Sequence, residues 1–148
     1  MNFVHIHLMI NHSPLYTELF AFFFVLIGVI IRNRTVVTAG LVIAIIGALC
    51  GIAADFTGDK AADVIGHMKP PIAGVDTTLI HEHDLAAGFA LTSCCICGGV
   101  ALLLFFYRRR WLEIVLIVLL AWSFSVVART ALLGGRIHHP EVRPVISG

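Results

Sequence analysis

With 148 residues, 59% of them hydrophobic, 13% charged and a mean hydropathy of +0.96, the chain is too apolar for a soluble domain of its size. Its net charge of +1, with no basic stripe outside two short turns, argues against a nucleic-acid partner. What remains is an integral membrane protein in contact with a lipid bilayer.

A helix needs roughly 20 predominantly apolar residues to cross a bilayer, and four segments qualify. The first runs from Ser13 to Ile31, with Ser13-Pro14 as an N-cap and N1 pair. No basic segment precedes it and no small-residue cleavage site follows, so it reads as a retained helix, not a signal peptide. Arg32-Asn33-Arg34 separates it from the second span, Thr35 to Phe56, where Gly47 and Gly51 form a Gly-x-x-x-Gly packing motif with Gly40 one heptad earlier. From Thr57 to Ile80 a polar start followed by helix formers predicts a loop with a short interfacial helix, ended by Lys69-Pro70-Pro71. Asp76, Thr77 and Thr78 offer caps for the third helix, Leu85 to Tyr107. Arg108-Arg109-Arg110 then leads to the fourth, Trp111 to Leu133, which Gly134-Gly135 is expected to end.

The two arginine turns are cytoplasmic by the positive-inside rule, which puts both termini and the middle loop outside. Turns this short make neighbouring helices antiparallel, so the expected fold is all-α: one transmembrane domain, an up-down four-helix bundle. No internal repeat is apparent along the chain.

All eight histidines avoid the arginine turns. His5, His7 and His12 precede or open the first helix, His81 and His83 open the third within His81-Glu82-His83-Asp84, and His138 and His139 follow the fourth; His67 lies in the loop. Three separate segments thus bring imidazoles to one level of the bundle. Imidazole is the commonest metal ligand and an axial ligand of haem iron. His81 and His83 point to different helix faces, so one of them is expected to look inward. The competing interpretation is a solvated rim whose histidines and acids only mark the water interface. Covalent haem, zinc-protease and di-iron motifs are all missing.

Charges inside a span are costly and usually paired. Glu18 and Arg129 lie at similar depths, so Arg129 is expected to pair with Glu18 or with Asp55. Alternatively Arg129 or Arg136 holds the propionates of a haem, since arginine binds carboxylates in a bidentate way. Cys94 and Cys97, one turn apart, read as small packing residues before they read as soft-metal ligands.

His12-Ser13-Pro14, Thr57-Gly58 with Ala61 and Ala62, Glu82-His83, and Gly134-Gly135-Arg136-Ile137-His138-His139-Pro140-Glu141 form a further pattern. With these motifs the chain resembles, over nearly its whole length, a group of small bacterial four-helix membrane proteins of unknown function. Some relatives of that group are fused to Rieske-type or cytochrome-like redox modules. The resemblance implies that His12, His83, His139 and Glu141 are a polar signature, and that electron transfer is the role. Here His138 stands where a basic residue is expected before the His-Pro-Glu, so either His138 or His139 is the candidate ligand.

Three functional classes follow. The first is a haem b protein that transfers electrons at the periplasmic face of a bacterial inner membrane. Two of His12, His83 and His139 would be its axial ligands, with His7, His81 and His138 as further candidates. Its partner would be a periplasmic cytochrome or a quinol whose proton goes to Glu18 or Asp55. The second is a site for zinc, copper or iron ions built from the imidazoles with Glu82, Asp84 or Glu141. The third is a cofactor-free structural subunit of a larger membrane complex.

Overall fold

The computed structural model describes residues 3–67 and 77–138. Those residues form helices and short turns, with no strand: α1 (Phe3–Ile10), α2 (Ser13–Ile30), α3 (Arg34–Gly66), α4 (Thr77–Phe106) and α5 (Arg110–His138). Four stretches are long and apolar enough to cross a membrane: Phe3–Ile30 (α1 with α2), Arg34–Gly66, Thr78–Phe106 and Arg110–Ile137. Consecutive helices pack as hairpins, α2 on α3 and α4 on α5, while α3 lies against α4 and α2 against α5, closing a four-helix bundle.

Each of α2 to α5 buries one narrow seam. In α2 this is Pro14, Glu18, Ala21, Val25 and Gly28; in α5 it includes Leu116, Leu120, Ser123, Val127 and Thr130. The alternating steps of four and three are those of knobs-into-holes packing between nearly antiparallel helices. The opposite faces expose large apolar side chains, among them Phe20, Phe89, Phe106 and Trp122, as a lipid-facing surface does. Exposed Tyr107 and Trp111 flank the second arginine turn, where amphipathic rings suit a membrane–water interface.

At the first arginine turn, Arg32 adopts a left-handed conformation (φ 55°) and the Asn33 amide donates to the Gly28 carbonyl, closing α2 in a Schellman-type turn. The Asn33 side chain then accepts from the Thr35 and Val36 amides and caps α3. Glycines let this hairpin close tightly. A β-carbon at Gly40 would lie 2.6 Å from Val25 Cγ2 and 2.8 Å from the Val25 amide nitrogen. Gly40→Ala is therefore expected to destabilise the bundle by about 1–3 kcal/mol, the usual cost of overpacking, measured as a lowered unfolding midpoint in detergent. An unchanged midpoint would reject this close approach.

Helix boundaries differ from the sequence expectation on the side away from the arginines. Residues 57–66 continue α3 without a break, so there is no separate interfacial helix over this stretch. The third helix begins at Thr77, and α5 runs through Gly134 and Gly135 to His138. Tertiary contacts override the glycine stop, because Gly134 packs against His83 from α4. At the start of α2 the N-cap residue is His12, not Ser13, and it makes no side-chain cap. Lys69, Pro70, Pro71 and Asp76 lie outside the described residues.

Although no repeat is apparent in the residue order, the structure is two-fold repetitive. Shifting by 76 positions carries the start of α3, Arg34, onto that of α5, Arg110, and the end of α2, Ile30, onto that of α4, Phe106. The same shift maps buried Glu18, Ala21 and Val25 onto buried Cys94, Cys97 and Ala101, and buried Gly40, Ala44 and Gly47 onto buried Leu116, Leu120 and Ser123. The two hairpins are thus parallel repeats, related by an axis running along the bundle.

Candidate functional site

The bundle end opposite the arginine turns encloses a cavity of about 730 Å³. Both halves line it in equivalent pairs, His7 with His83, Ala54 with Thr130 and Gly58 with Gly134, so it lies on the two-fold axis. About 20 residues of helix span the hydrocarbon. Counted from Arg34 and Arg110, they reach Ala54 and Thr130, which puts the cavity at the boundary of the apolar layer.

His7 and His83 are fixed in the same way. His7 Nδ1 lies 3.0 Å from the Ala54 carbonyl oxygen and His83 Nδ1 lies 3.1 Å from the Thr130 carbonyl oxygen, each across 47 residues of sequence. A carbonyl can only accept, so each Nδ1 donates, and Nε2 is the ring nitrogen on the side away from that bond. Four residues on from each carbonyl, one helical turn, stands a glycine against the ring. A β-carbon at Gly58 would lie 3.1 Å from His7 Cε1, and one at Gly134 would lie 3.0 Å from His83 Cε1. Threonines brace both clasps. Thr57 Oγ donates to the Ala53 and Ala54 carbonyls and lies 3.3 Å from His7 Nδ1, while Thr130 Oγ donates to the Ala86 carbonyl across the α4–α5 contact. A carbonyl bond at one ring nitrogen is the usual means of orienting an imidazole that ligates through the other.

The remaining histidines are less constrained. His12 and His81 line the cavity mouth but are exposed, and His12 Nδ1 bonds its neighbour, Asn11 Oδ1, at 2.6 Å. His67 Nδ1 donates to the Asp63 carbonyl at the end of α3. His138 closes α5, while His139 and Glu141 lie outside the described residues. Of the first-segment candidates, His7 is held by a facing helix and half-buried, whereas His12 is exposed. The sequence signal for His7 was present, because His5-x-His7 recurs as His81-x-His83, each ahead of an arginine turn at the same spacing.

Below the cavity is a polar floor. Cys94 lines it, with its sulfur 3.7 Å from Ser123 Oγ, and Ser123 Oγ lies 3.0 Å from Ser93 Oγ. Glu18 sits beside this group at 0% exposure, and neither carboxyl oxygen has a hydrogen-bond partner. The expected pairing with Arg129 is not formed. Arg129 is exposed on α5, where its long side chain can reach the interface without leaving water, and Glu18 points inward to the axis. Asp55 is half-buried at the cavity wall and faces the acids Asp59 and Asp84, not an arginine. Lys60 lines the cavity, and half-buried Arg136 is its equivalent in the second repeat. Cys94 and Cys97 are buried free thiols, with Cys97 packed in the main core cluster as expected of packing residues.

Among the described residues, no three histidine, cysteine or acidic side chains converge as a bare metal ion requires. No protein-family profile, curated protein or solved structure matches the chain.

Proposed function

We propose that the protein is a membrane-anchored haem b protein for electron transfer, with His7 and His83 as the axial ligands in the cavity between the two repeats. The supporting observation is the duplicated clasp, in which each imidazole is held by a carbonyl and a glycine on the facing helix and both rings line one cavity. A porphyrin supplies four of the iron's ligands itself, so two oriented imidazoles suffice where a bare ion would need a cluster. The cavity's volume is in the range of small-molecule and cofactor sites, roughly 300–1,000 Å³, and its glycines and alanines offer flat walls. Lys60 and Arg136, equivalent across the axis, are cations suited to the two propionates. Bis-imidazole ligation leaves no open position on the iron, which favours electron transfer over substrate chemistry.

By the positive-inside rule the arginine turns are cytoplasmic, and both termini and the haem are then on the outer face. In a bacterial inner membrane that face meets a periplasmic cytochrome, or a quinol arriving from the bilayer. The resemblance to four-helix proteins related to redox fusions agrees with this role. An absorption spectrum of protein expressed with sufficient haem tests it. A Soret band with sharp bands on reduction is the expected result, and their complete absence in protein supplied with haem would reject the proposal.

A further inference from the structure

Among the described residues, Glu18 is a fully buried acid with no countercharge beside it. Its side chain is fully buried, and among the described residues neither oxygen has a partner at close hydrogen-bonding geometry; the nearest polar groups are two thiols and a hydroxyl. Three elements face it: α3 presents Gly47, whose β-carbon would lie 3.4 Å from Glu18 Oε1; α4 presents the thiols of Cys94 and Cys97; α5 presents the hydroxyl of Ser123. None of these is a cation. A carboxylate in so apolar a place needs a positive partner or a proton.

The two-fold axis indicates where that partner would be. Glu18 and Cys94 are equivalent positions that meet beneath the cavity, and Cys94 belongs both to the cavity floor and to the surroundings of Glu18. Glu18 is therefore one side chain away from whatever the cavity holds. At this position the two halves differ in chemistry: one supplies an acid, the other a thiol.

We propose that Glu18 is the proton-binding site that compensates the charge of the cofactor, ionised while the iron is oxidised and protonated when it is reduced. This rests on the haem reading above. An oxidised iron–porphyrin core carries a net single positive charge, and that charge is the countercharge the protein omits. When a one-electron donor reduces the iron, the donor is oxidised and the core becomes neutral. One proton from the aqueous phase then bonds to a Glu18 carboxyl oxygen, so the buried site gains an electron and a proton together. Electron transfer through this protein is in that case coupled to proton uptake.

The test is a redox titration of haem-loaded protein in detergent at a series of pH values, for wild type and for Glu18→Gln. In wild type the midpoint potential should fall with rising pH by up to about 59 mV per unit, the value for one proton per electron. Glu18→Gln preserves size and removes the titrating proton, and its potential should be independent of pH. A wild-type potential that does not vary with pH, or the same slope in both proteins, overturns the proposal. Redox-difference infrared spectra of wild type labelled with ¹³C-glutamate give the answer without a variant. Reduction should produce a label-sensitive carboxylic-acid C=O band, and its absence overturns the proposal. If no haem spectrum forms at all, the failure lies with the cofactor reading, which the absorption spectrum detects before any titration.

Discussion

His83→Ala is expected to abolish the low-spin bis-imidazole spectrum of the haem-loaded protein, and His7→Ala to do so to the same degree. Equality follows from the repeat. The two rings occupy equivalent positions, bond equivalent carbonyls at 3.0 and 3.1 Å, and line one cavity. Loss of an outer partner of a metal ligand typically costs roughly 10–100-fold in affinity, so loss of the ligand itself should exceed that range. Imidazole added to either variant should restore the low-spin bands, since the deleted side chain leaves room for it on the cavity wall. His12→Ala and His81→Ala serve as controls. Both residues are exposed at the mouth, and their spectra should match wild type. An unchanged spectrum in His7→Ala, with a bleached one in His12→Ala, would return the assignment to the histidine that the sequence resemblance favoured.

The bundle was legible in the sequence because its physics is one-dimensional. Apolar runs of sufficient length, two arginine breaks and short turns determine the helices and their antiparallel order without reference to contacts. Helix ends away from the arginines were not legible, since Gly134-Gly135 reads as a stop until His83 is known to pack on it. The repeat was hidden for a related reason. Packing preserved the buried seam but not its residues, so that Gly40 matches Leu116 and Glu18 matches Cys94, and only a few positions, such as His5 with His81 and Gly58 with Gly134, keep the same residue. The anchoring of His7 was not legible, because a bond to a carbonyl 47 residues away has no local signature. Glu18 was singled out correctly as a costly buried charge, yet the sequence matched it to the wrong partner. Depth along a helix can be counted from sequence, whereas the direction a side chain faces depends on the rotation of each helix in the bundle. Arg129 differs from Glu18 in both: Glu18 meets Ser123 on α5, whereas Arg129 stands six residues, about 9 Å, further along that helix on an exposed face.

A graded loss is expected when the glycines of the two clasps are enlarged. At Gly134 a β-carbon would sit 3.0 Å from His83 Cε1 and 3.4 Å from Nδ1; at Gly58 the corresponding distances to His7 are 3.1 and 3.4 Å. Such contacts are tight enough that alanine must displace the ring by a few tenths of an ångström. That shift lengthens the bond from Nδ1 to the carbonyl and tilts the direction of Nε2. Gly134→Ala or Gly58→Ala should therefore weaken haem binding by about 10-fold, the lower end of what a disturbed outer partner costs. Valine adds two methyl groups where one already collides, so Gly134→Val should lose the low-spin spectrum as fully as His83→Ala does. The comparison with Gly40→Ala separates ligand orientation from stability, because Gly40 packs on Val25 in the hairpin, remote from the cavity. If the clasp glycines only pack helices, all three alanine variants will lower the unfolding midpoint and none will change the haem spectrum or affinity. If they orient ligands, alanine at Gly58 and Gly134 will change haem affinity to similar extents, because each glycine meets its imidazole at the same edge and nearly the same distance.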